Sequence, residues 1–217
     1  MFAGFFCTVK RNFPPPRSFF SVTDKQRAPD DWTVVQAVLA GKAGAFQTLV
    51  RRYERQVANI IYLSLGNRED VEDLSQEVFL RLYQSLPRLN PQRSLFSWIY
   101  RITANLCIDE IRRRKIKRIL SLEFLIDEGR SLAEMGGRVH APDRILEDQE
   151  RRHAIVQALQ NLPADHRITI VLREYEDLSY EEIADALQIS VPAVKSRLFR
   201  ARERLRALLE PHLRGGS

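Results

Sequence analysis

The chain has 217 residues, of which 44% are hydrophobic and 29% charged, and its formal net charge is +6 at pH 7. This length allows one large or two small domains, and the composition is that of a soluble globular protein. The positive charge favours a polyanionic partner, although a ribosome-associated or membrane-surface protein would share it. Cys7 and Cys107 suggest no disulfide framework, so we expect a reducing compartment. No apolar run approaches the roughly 18 residues that cross a bilayer, so we expect no membrane insertion.

Residues 1–30 show no helical or strand periodicity. They contain six of the eleven phenylalanines and three consecutive prolines, Pro14 to Pro16. The apolar start is too short for the hydrophobic core of a secretory signal peptide. We therefore expect a disordered N-terminal extension, or a start codon assigned too far upstream.

Helical periodicity begins at Asp31 and continues, with breaks, to Arg118. Three segments place apolar residues three and four positions apart, which is the spacing of one buried helix face. These residues are Phe46, Leu49, Val50, Tyr53, Val57, Ile60 and Ile61, then Val71, Leu74, Val78, Leu82 and Leu86, then Leu95, Ile99, Ile102, Leu106 and Ile111. Residues 31–118 are therefore predicted to form one small helical domain.

The composition changes after Arg118. Residues 119–150 contain eight acidic residues against three arginines, and Gly129, Gly136 and Gly137 interrupt them. This pattern predicts a flexible linker, which we place at residues 119–142, with a short helical turn near Leu122.

The C-terminal part, residues 143–210, is predicted to form a second helical domain, followed by a tail at 211–217. Ser179 and Glu182 have the spacing of a capping box at the start of a short helix. The stretch from Ser190 to Leu209 then combines an apolar stripe with many basic residues. A short helix, a tight turn and a basic helix predict a helix-turn-helix that reads the DNA major groove. The alternative is an ordinary hairpin with a basic solvated face. No alternating strand pattern occurs in the sequence, so the predicted fold class is all-α.

Acidic residues cluster between positions 69 and 77. Asp70, Asp73 and Glu77 fall on one helix face, with Gln76 beside them. Carboxylates can bind a divalent metal, but acids in a first helical turn also complement the helix dipole. No histidine, cysteine or glycine loop accompanies this cluster, so we favour a docking face for a basic protein partner.

The sequence contains no P-loop, dinucleotide-binding, zinc-protease or hydrolase motif. Its four histidines also lack the spacing of metal ligands. We therefore predict no enzyme activity, no metal and no cofactor.

The third predicted helix mixes aromatic and basic residues. Phe96, Trp98 and Tyr100 stand near its start, Arg101 and Asn105 follow, and a basic run ends it. Rings can stack on unpaired bases while cations follow the phosphates, so this pattern suits single-stranded nucleic acid. The alternative is that the aromatic residues belong to the core of a helical bundle.

Three motifs together resemble the bacterial sigma factors of the extracytoplasmic-function (ECF) group. They are DVEDLSQEVFLRLYQSL (70–86), SLFSWIYRITANLCIDEIRRRK (94–115) and NLPADHRITIVLREYEDLSYEEIADALQISVPAVKSRLFRARERLRALL (161–209). The resemblance implies a sigma-2 bundle, a flexible linker and a sigma-4 helix-turn-helix domain. It implies a cytoplasmic, non-catalytic subunit that directs core RNA polymerase to promoters.

The resemblance also implies roles for individual residues. The implied contacts to the β′ clamp coiled coil of polymerase are Asp73, Gln76 and Glu77. Those that melt and read the −10 element are Phe96, Trp98, Arg101 and Asn105, with Arg112, Arg113 and Arg114 on upstream phosphates. Those that read the −35 element are Lys195, Ser196, Phe199 and Arg200, while Arg202 and Arg204 would contact phosphates or remain solvated.

Further partners are implied by the same resemblance. Residues from Leu162 to Tyr175 resemble the surface that binds the β flap of polymerase, and an anti-sigma factor is expected. The chain departs from the family at residues 1–30, which have no counterpart in its short form. It also lacks a glycine in the turn from Leu187 to Ser190, so Gln188 is expected to adopt an unusual dihedral.

Two other functions fit parts of the sequence. One is a helix-turn-helix regulator that binds DNA without joining polymerase, and the other is a helical adaptor that binds only proteins. The motif from Asp70 to Leu86 disfavours both, because neither function requires that face.

Overall fold

The computed structural model describes residues 30–90, 94–127 and 153–214. Regular structure in these ranges is helical, which confirms the predicted all-α class. The helices are α1 (Asp31–Leu39), α2 (Ala45–Leu65), α3 (Glu69–Ser85), α4 (Leu95–Asp127), α5 (helical residues 153–160), α6 (Ala164–Glu174), α7 (Tyr180–Leu187) and α8 (Val191–Arg214). Predictions for residues 1–29, 128–152 and 215–217 lie outside the described residues. None of the helices in the described ranges is both long and apolar enough to cross a membrane.

Helices α1 to α4 form the first helical group. Its core is built from the predicted apolar stripes, and Leu49, Val57, Ile60, Leu82 and Ile99 are fully buried in it. Each of these helices buries one face against its neighbours because its apolar residues recur every three or four positions. The apolar stripes predicted within residues 31–118 therefore pack into one helical group.

Helix α4 is longer than the sequence pattern indicated. It continues through Asp127, past the basic run that ends at Arg118 and into the stretch predicted as linker. No glycine or proline occurs between Arg118 and Asp127, so nothing in the chain stops the helix there.

Helices α5 to α8 form the second helical group. The Ser179 Oγ accepts from the Glu182 N–H at 3.1 Å, and the Ser179 N–H donates to the Glu182 carboxylate at 2.7 Å. These two bonds are the predicted capping box at the start of α7. Gln188 then adopts φ 54° and ψ 46°, the left-handed conformation expected for this turn without glycine. The turn directs α8 across α6 and α7, where Val194 and Leu198 are buried.

The two groups pack against each other through one continuous buried core. Helix α4 lies against α6 and α7, and α2 also contacts α6. The sequence predicted two domains and a linker, but no part of that prediction brought the domains together. This packing places the face of α4 that carries Arg101 beside the helix-turn-helix.

Candidate DNA and protein interfaces

The exposed face of α3 is polar in its first half. Asp73 and Gln76 are exposed, and Glu77 accepts from Arg81 one turn later at 2.6 Å. Asp70 points elsewhere, because its carboxylate pairs with Arg114 on α4. Three of the acidic or amide side chains singled out from the sequence therefore remain on a surface that a partner can reach.

An apolar groove continues this face toward the end of α3. Leu80 and Tyr83 are 52% and 53% exposed, and the Tyr83 ring meets Phe46 of α2 edge-on at 5.0 Å. The groove between α2 and α3 encloses about 600 Å³. Its lining residues are Phe46, Val50, Glu54, Glu72, Ser75, Gln76, Phe79, Leu80 and Tyr83. Sequence reasoning missed Leu80 and Tyr83, although they continue the line of Gln76 at helical spacing.

Four of the residues predicted to contact the −10 element share one face of α4. At about 100° per residue, Trp98, Arg101, Asn105 and Arg112 span only about 60° of the helix circumference. The Arg101 guanidinium lies 5.1 Å from the Trp98 ring centre, and the Trp98 indole N–H donates to Ser85 Oγ at 2.9 Å. The structure therefore gathers an aromatic ring, an amide and two cations on a single surface.

The aromatic residues of α4 differ in their burial. Tyr100 is only 1% exposed and belongs to the core, as the alternative interpretation of this segment expected. Phe96 is partly buried and packs edge-on against Tyr100 with ring centres 4.1 Å apart. Trp98 is also partly buried, but it lies on the same face as Arg101. The structure thus does not bring Phe96 onto the face of α4 that holds Trp98, Arg101, Asn105 and Arg112.

Two arginines at the basic end of α4 are engaged within the first group. Glu110 accepts from Arg113 at 2.7 Å and from Arg114 at 2.6 Å. Burial alone would raise the pKa of Glu110, but the hydrogen bonds from these two guanidiniums hold it below its ordinary value. Arg114 also reaches Asp70 and so ties α4 to α3. This gives Arg114 a structural role that sequence reasoning did not anticipate.

The predicted −35 contacts form an exposed surface on α8. Lys195, Ser196, Phe199 and Arg200 are all exposed there, opposite the buried Val194 and Leu198 stripe. This distribution of side chains is that of a recognition helix, with the apolar side facing inward and the polar side facing the solvent, where DNA can bind.

Basic side chains of α8 lie near a histidine of α6. Burial is the main cause that lowers the pKa of His166; the Arg197 and Arg200 charges lower it further, whereas the Asp165 charge raises it. Positive side chains such as Lys195 and Arg200 on the exposed face of α8 suit a polyanionic partner.

Arg202 corrects one sequence-based expectation. It donates to Glu174 of α6 at 2.7 Å, and its side chain is only 22% exposed. Arg202 was expected to contact phosphates or to remain solvated, and in this structure it is not solvated but joins α8 to α6. Periodicity could not reveal this, because Glu174 lies on another helix. Arg204, by contrast, is exposed.

No group of three or more histidine, cysteine, aspartate or glutamate side chains within residues 30–90, 94–127 and 153–214 is arranged to hold a metal ion. Cys107 is buried and free, and burial raises the pKa of its thiol to about 12. Its thiolate is therefore not available as a nucleophile near neutral pH.

Comparison with known families assigns both groups. Residues 49–116 match the model of Sigma-70 region 2, and residues 152–205 match that of Sigma-70 region 4. The ECF RNA polymerase sigma factor SigW of Bacillus subtilis is 34% identical over 176 residues, covering 81% of this chain and 94% of that protein. The chain belongs to the ECF sigma factors of RNA polymerase. Members of this family bind core polymerase and promoter DNA and direct transcription initiation, and so does this chain.

Other relatives agree with this assignment. The ECF sigma-E factor of Escherichia coli K12 is 32% identical over 191 residues, and the sigma-H factor of Pseudomonas aeruginosa is 31% identical over 188. In each case 85% of this chain and 96% of the relative are covered. The match to region 2 disfavours a regulator that acts without polymerase.

Two solved structures share the fold of this sigma factor. CnrH, solved in complex with the cytosolic domain of CnrY, superposes with a TM-score of 0.61 at 25% identity, covering 83% of this chain and 97% of CnrH. RpoE from Bartonella quintana, solved with the anti-sigma factor NepR, gives 0.55 at 22% identity, covering 77% and 98%. The second likeness supports the fold alone.

Proposed function

We propose that the functions of this sigma factor divide between a sigma-2 domain at residues 31–118 and a sigma-4 domain at residues 143–210. The first would hold core polymerase and the −10 element, and the second the −35 element. The observation that supports this division best is the presence of two separate exposed surfaces, one on α3 and one on α8. The chain would act as a non-catalytic subunit in the cytoplasm.

The polymerase-binding surface would be the outer face of α3. Asp73, Gln76 and Glu77 would contact the β′ clamp coiled coil, while Leu80 and Tyr83 would insert into its apolar side. An acidic rim around a small apolar groove fits an amphipathic helix with basic flanks. Fully desolvated apolar anchors usually contribute more affinity than rim charges, so Leu80 and Tyr83 would matter most.

Reading of the −10 element would use α4. Trp98 supplies a ring on which an unpaired base can stack, and Arg101 and Asn105 supply hydrogen bonds beside it. Base stacking is worth roughly 1–3 kcal/mol per base, which is comparable with the cost of unstacking. Phe96, Arg112, Arg113 and Arg114 belong to the same proposed region, although Arg113 and Arg114 bind Glu110 in this structure.

Reading of the −35 element would use α8 in the major groove. Lys195, Ser196 and Arg200 would hydrogen-bond to base edges, and Phe199 would make apolar contact with them. The segment from Leu162 to Tyr175, which includes α6, would face the β flap. An anti-sigma factor would be a further partner, and the cytosolic domain of CnrY bound to CnrH supports a protein partner of this kind.

A reconstitution tests the polymerase-binding proposal. Purified chain is mixed with core polymerase and separated by size-exclusion chromatography. The wild-type chain should co-elute with β and β′, and a Gln76→Ala, Leu80→Ala double variant should elute mainly alone. Lys195→Ala, on the proposed DNA surface, is the matched control and should co-elute like the wild type. Equal co-elution of the double variant would contradict the assignment of this face.

A further inference from the structure

A buried glutamate joins the two helical groups. Glu176 lies in the turn between α6 and α7 and is 6% exposed. Its Oε1 accepts from the Asn59 amide on α2, and its Oε2 accepts from the Tyr100 hydroxyl on α4 at 3.1 Å. Both donors belong to the first group, so these bonds exist only while the groups are packed together. We call Asn59, Tyr100 and Glu176 the inter-group latch.

A second set of contacts closes around the C-terminal end of α2. Arg167 of α6 donates to the Ser64 carbonyl at 2.6 Å, and the Gln160 amide donates to the Leu65 carbonyl at 3.2 Å. Gly66 follows at φ 77°, and a Cβ there would lie 1.4 Å from the Gln160 Nε2 and 3.1 Å from Val156 Cγ1. A side chain at position 66 would therefore displace the Gln160 amide that caps the Leu65 carbonyl and would press on Val156, so the second group packs closely on the end of α2.

The same packing pairs two arginines of the proposed −10 surface with groups on α6 and α7. Arg101 donates to the Asp185 backbone carbonyl of α7 at 3.1 Å, and its guanidinium lies 3.6 Å from the Asp185 carboxylate. Arg112 lies 3.4 Å from the Asp165 carboxylate of α6. Carboxylates of the second group thus stand where DNA phosphates and bases would bind these arginines. The −35 surface on α8 remains exposed.

We propose that the inter-group latch holds the free sigma factor in a closed state that blocks single-stranded −10 DNA but leaves the −35 surface accessible. This inference rests on the proposed roles of α4 and α8. Opening would separate Glu176 from Asn59 and Tyr100 and release Arg101 from Asp185. The fraction of open molecules then sets the apparent affinity for the −10 strand.

The geometry supports a latch in preference to incidental packing. Two neutral donors converge on one buried carboxylate, and removing that carboxylate alone would leave both donors without this partner in the closed state, which is costly. Closure also has a cost, because the Arg101 Nε is buried without a hydrogen-bond partner. Opposing terms of this kind leave a small net free energy between two states, which one substitution can shift.

Opening is measured on the full chain by fluorescence energy transfer. Dyes are attached to cysteines introduced at the exposed positions Gln47 and Ala207, in a chain with Cys7→Ser. DNA binding is measured by anisotropy with two fluorescein probes, a 20-nucleotide single-stranded pool of random sequence and the corresponding duplex. Glu176→Ala should lower the transfer efficiency and raise affinity for the single-stranded pool about tenfold. Duplex affinity should stay within about twofold, since the surface of α8 is unchanged.

Matched variants separate the latch from general effects. Glu181→Ala removes the same charge from an exposed site on α7 and should behave like the wild type. Glu176→Gln can keep both hydrogen bonds and should remain closed. Gly66→Ala should open the chain, whereas Gly44→Ala should not, because both glycines have positive φ but nothing lies within 4 Å of a Cβ at Gly44. If Glu176→Ala fails to fold, the glycine pair decides.

The proposal is overturned if Glu176→Ala and Gly66→Ala match their controls in both energy transfer and single-strand affinity. It is also overturned if single-strand and duplex affinity rise together, since that outcome indicates a change in net charge. Neither readout requires polymerase. Failure of the proposed function would appear separately, as a wild-type chain that does not bind core polymerase.

Discussion

Replacing Glu176 by glutamine should remove a defined part of the pH dependence of stability. The amide oxygen can accept from Asn59, and the amide N–H can donate to the Tyr100 hydroxyl, so the packing is retained. The glutamine cannot ionise. Burial is the main cause that raises the pKa of Glu176 to about 7, against an ordinary value of 4.5. The Asp177 charge raises this pKa further, whereas the bonds from Asn59 and Tyr100 and the Arg55 charge lower it.

The direction of the effect follows from the raised pKa. Below about pH 4.5 the carboxyl is protonated in both folded and unfolded chains, and its contribution to stability is fully present. As pH rises, the unfolded chain releases this proton first, so the free energy of unfolding falls until both states are ionised above about pH 7. From the two pKa values, the wild type should lose about 2–3 kcal/mol relative to Glu176→Gln between pH 5 and pH 8. For a chain of this size that corresponds to about 5–10 °C in the unfolding midpoint.

Urea unfolding followed by circular dichroism, in steps from pH 5 to pH 8, measures this difference. Subtracting the Glu176→Gln curve cancels the contributions of the other titrating groups. Wild-type and variant curves that run parallel across the range would refute the argument, because they would show that Glu176 ionises in the folded chain as it does in the unfolded chain.

Three further substitutions have defined outcomes. Leu80→Ala should weaken core polymerase binding about tenfold in a titration, while Leu39→Ala, at an equally exposed position outside the groove, should change it little. Arg200→Ala should cost about 1–3 kcal/mol of discrimination between cognate and scrambled −35 duplexes. Arg204→Ala should instead weaken binding to both duplexes equally and reduce the salt dependence of that binding. Equal losses of affinity for the two duplexes in Arg200→Ala would contradict its base-reading role. Leu198→Ala, buried beneath the recognition surface, should lower the unfolding free energy by about 2–5 kcal/mol, and a loss under about 1 kcal/mol would show that this packing is wrong.

Local chemistry made much of this fold predictable from the sequence. The apolar stripes placed the helices, the spacing of Ser179 and Glu182 gave the capping box, and the missing glycine gave the left-handed Gln188. Each of these features depends on residues within a few positions of one another. Their physical causes are therefore visible in a short stretch of sequence.

Contacts between distant segments could not be predicted in the same way. No local pattern singles out Glu176, because its partners Asn59 and Tyr100 are 117 and 76 positions away in the chain. Arg202 was expected to contact phosphates or to remain solvated, and its bond to Glu174 was missed because Glu174 lies on another helix. Leu80 fell outside the buried stripe, and periodicity alone does not say whether an outward apolar residue joins a groove.

Reconstituted transcription tests the central claim most directly. Core polymerase is incubated with sheared genomic DNA, with and without the purified chain, and the 5′ ends of the transcripts are sequenced. Addition of the chain should produce transcripts with defined start sites that share upstream −10 and −35 sequences. The Gln76→Ala, Leu80→Ala double variant should produce far fewer of these transcripts. The absence of any new start site, with core polymerase that responds to another sigma factor, would contradict the account.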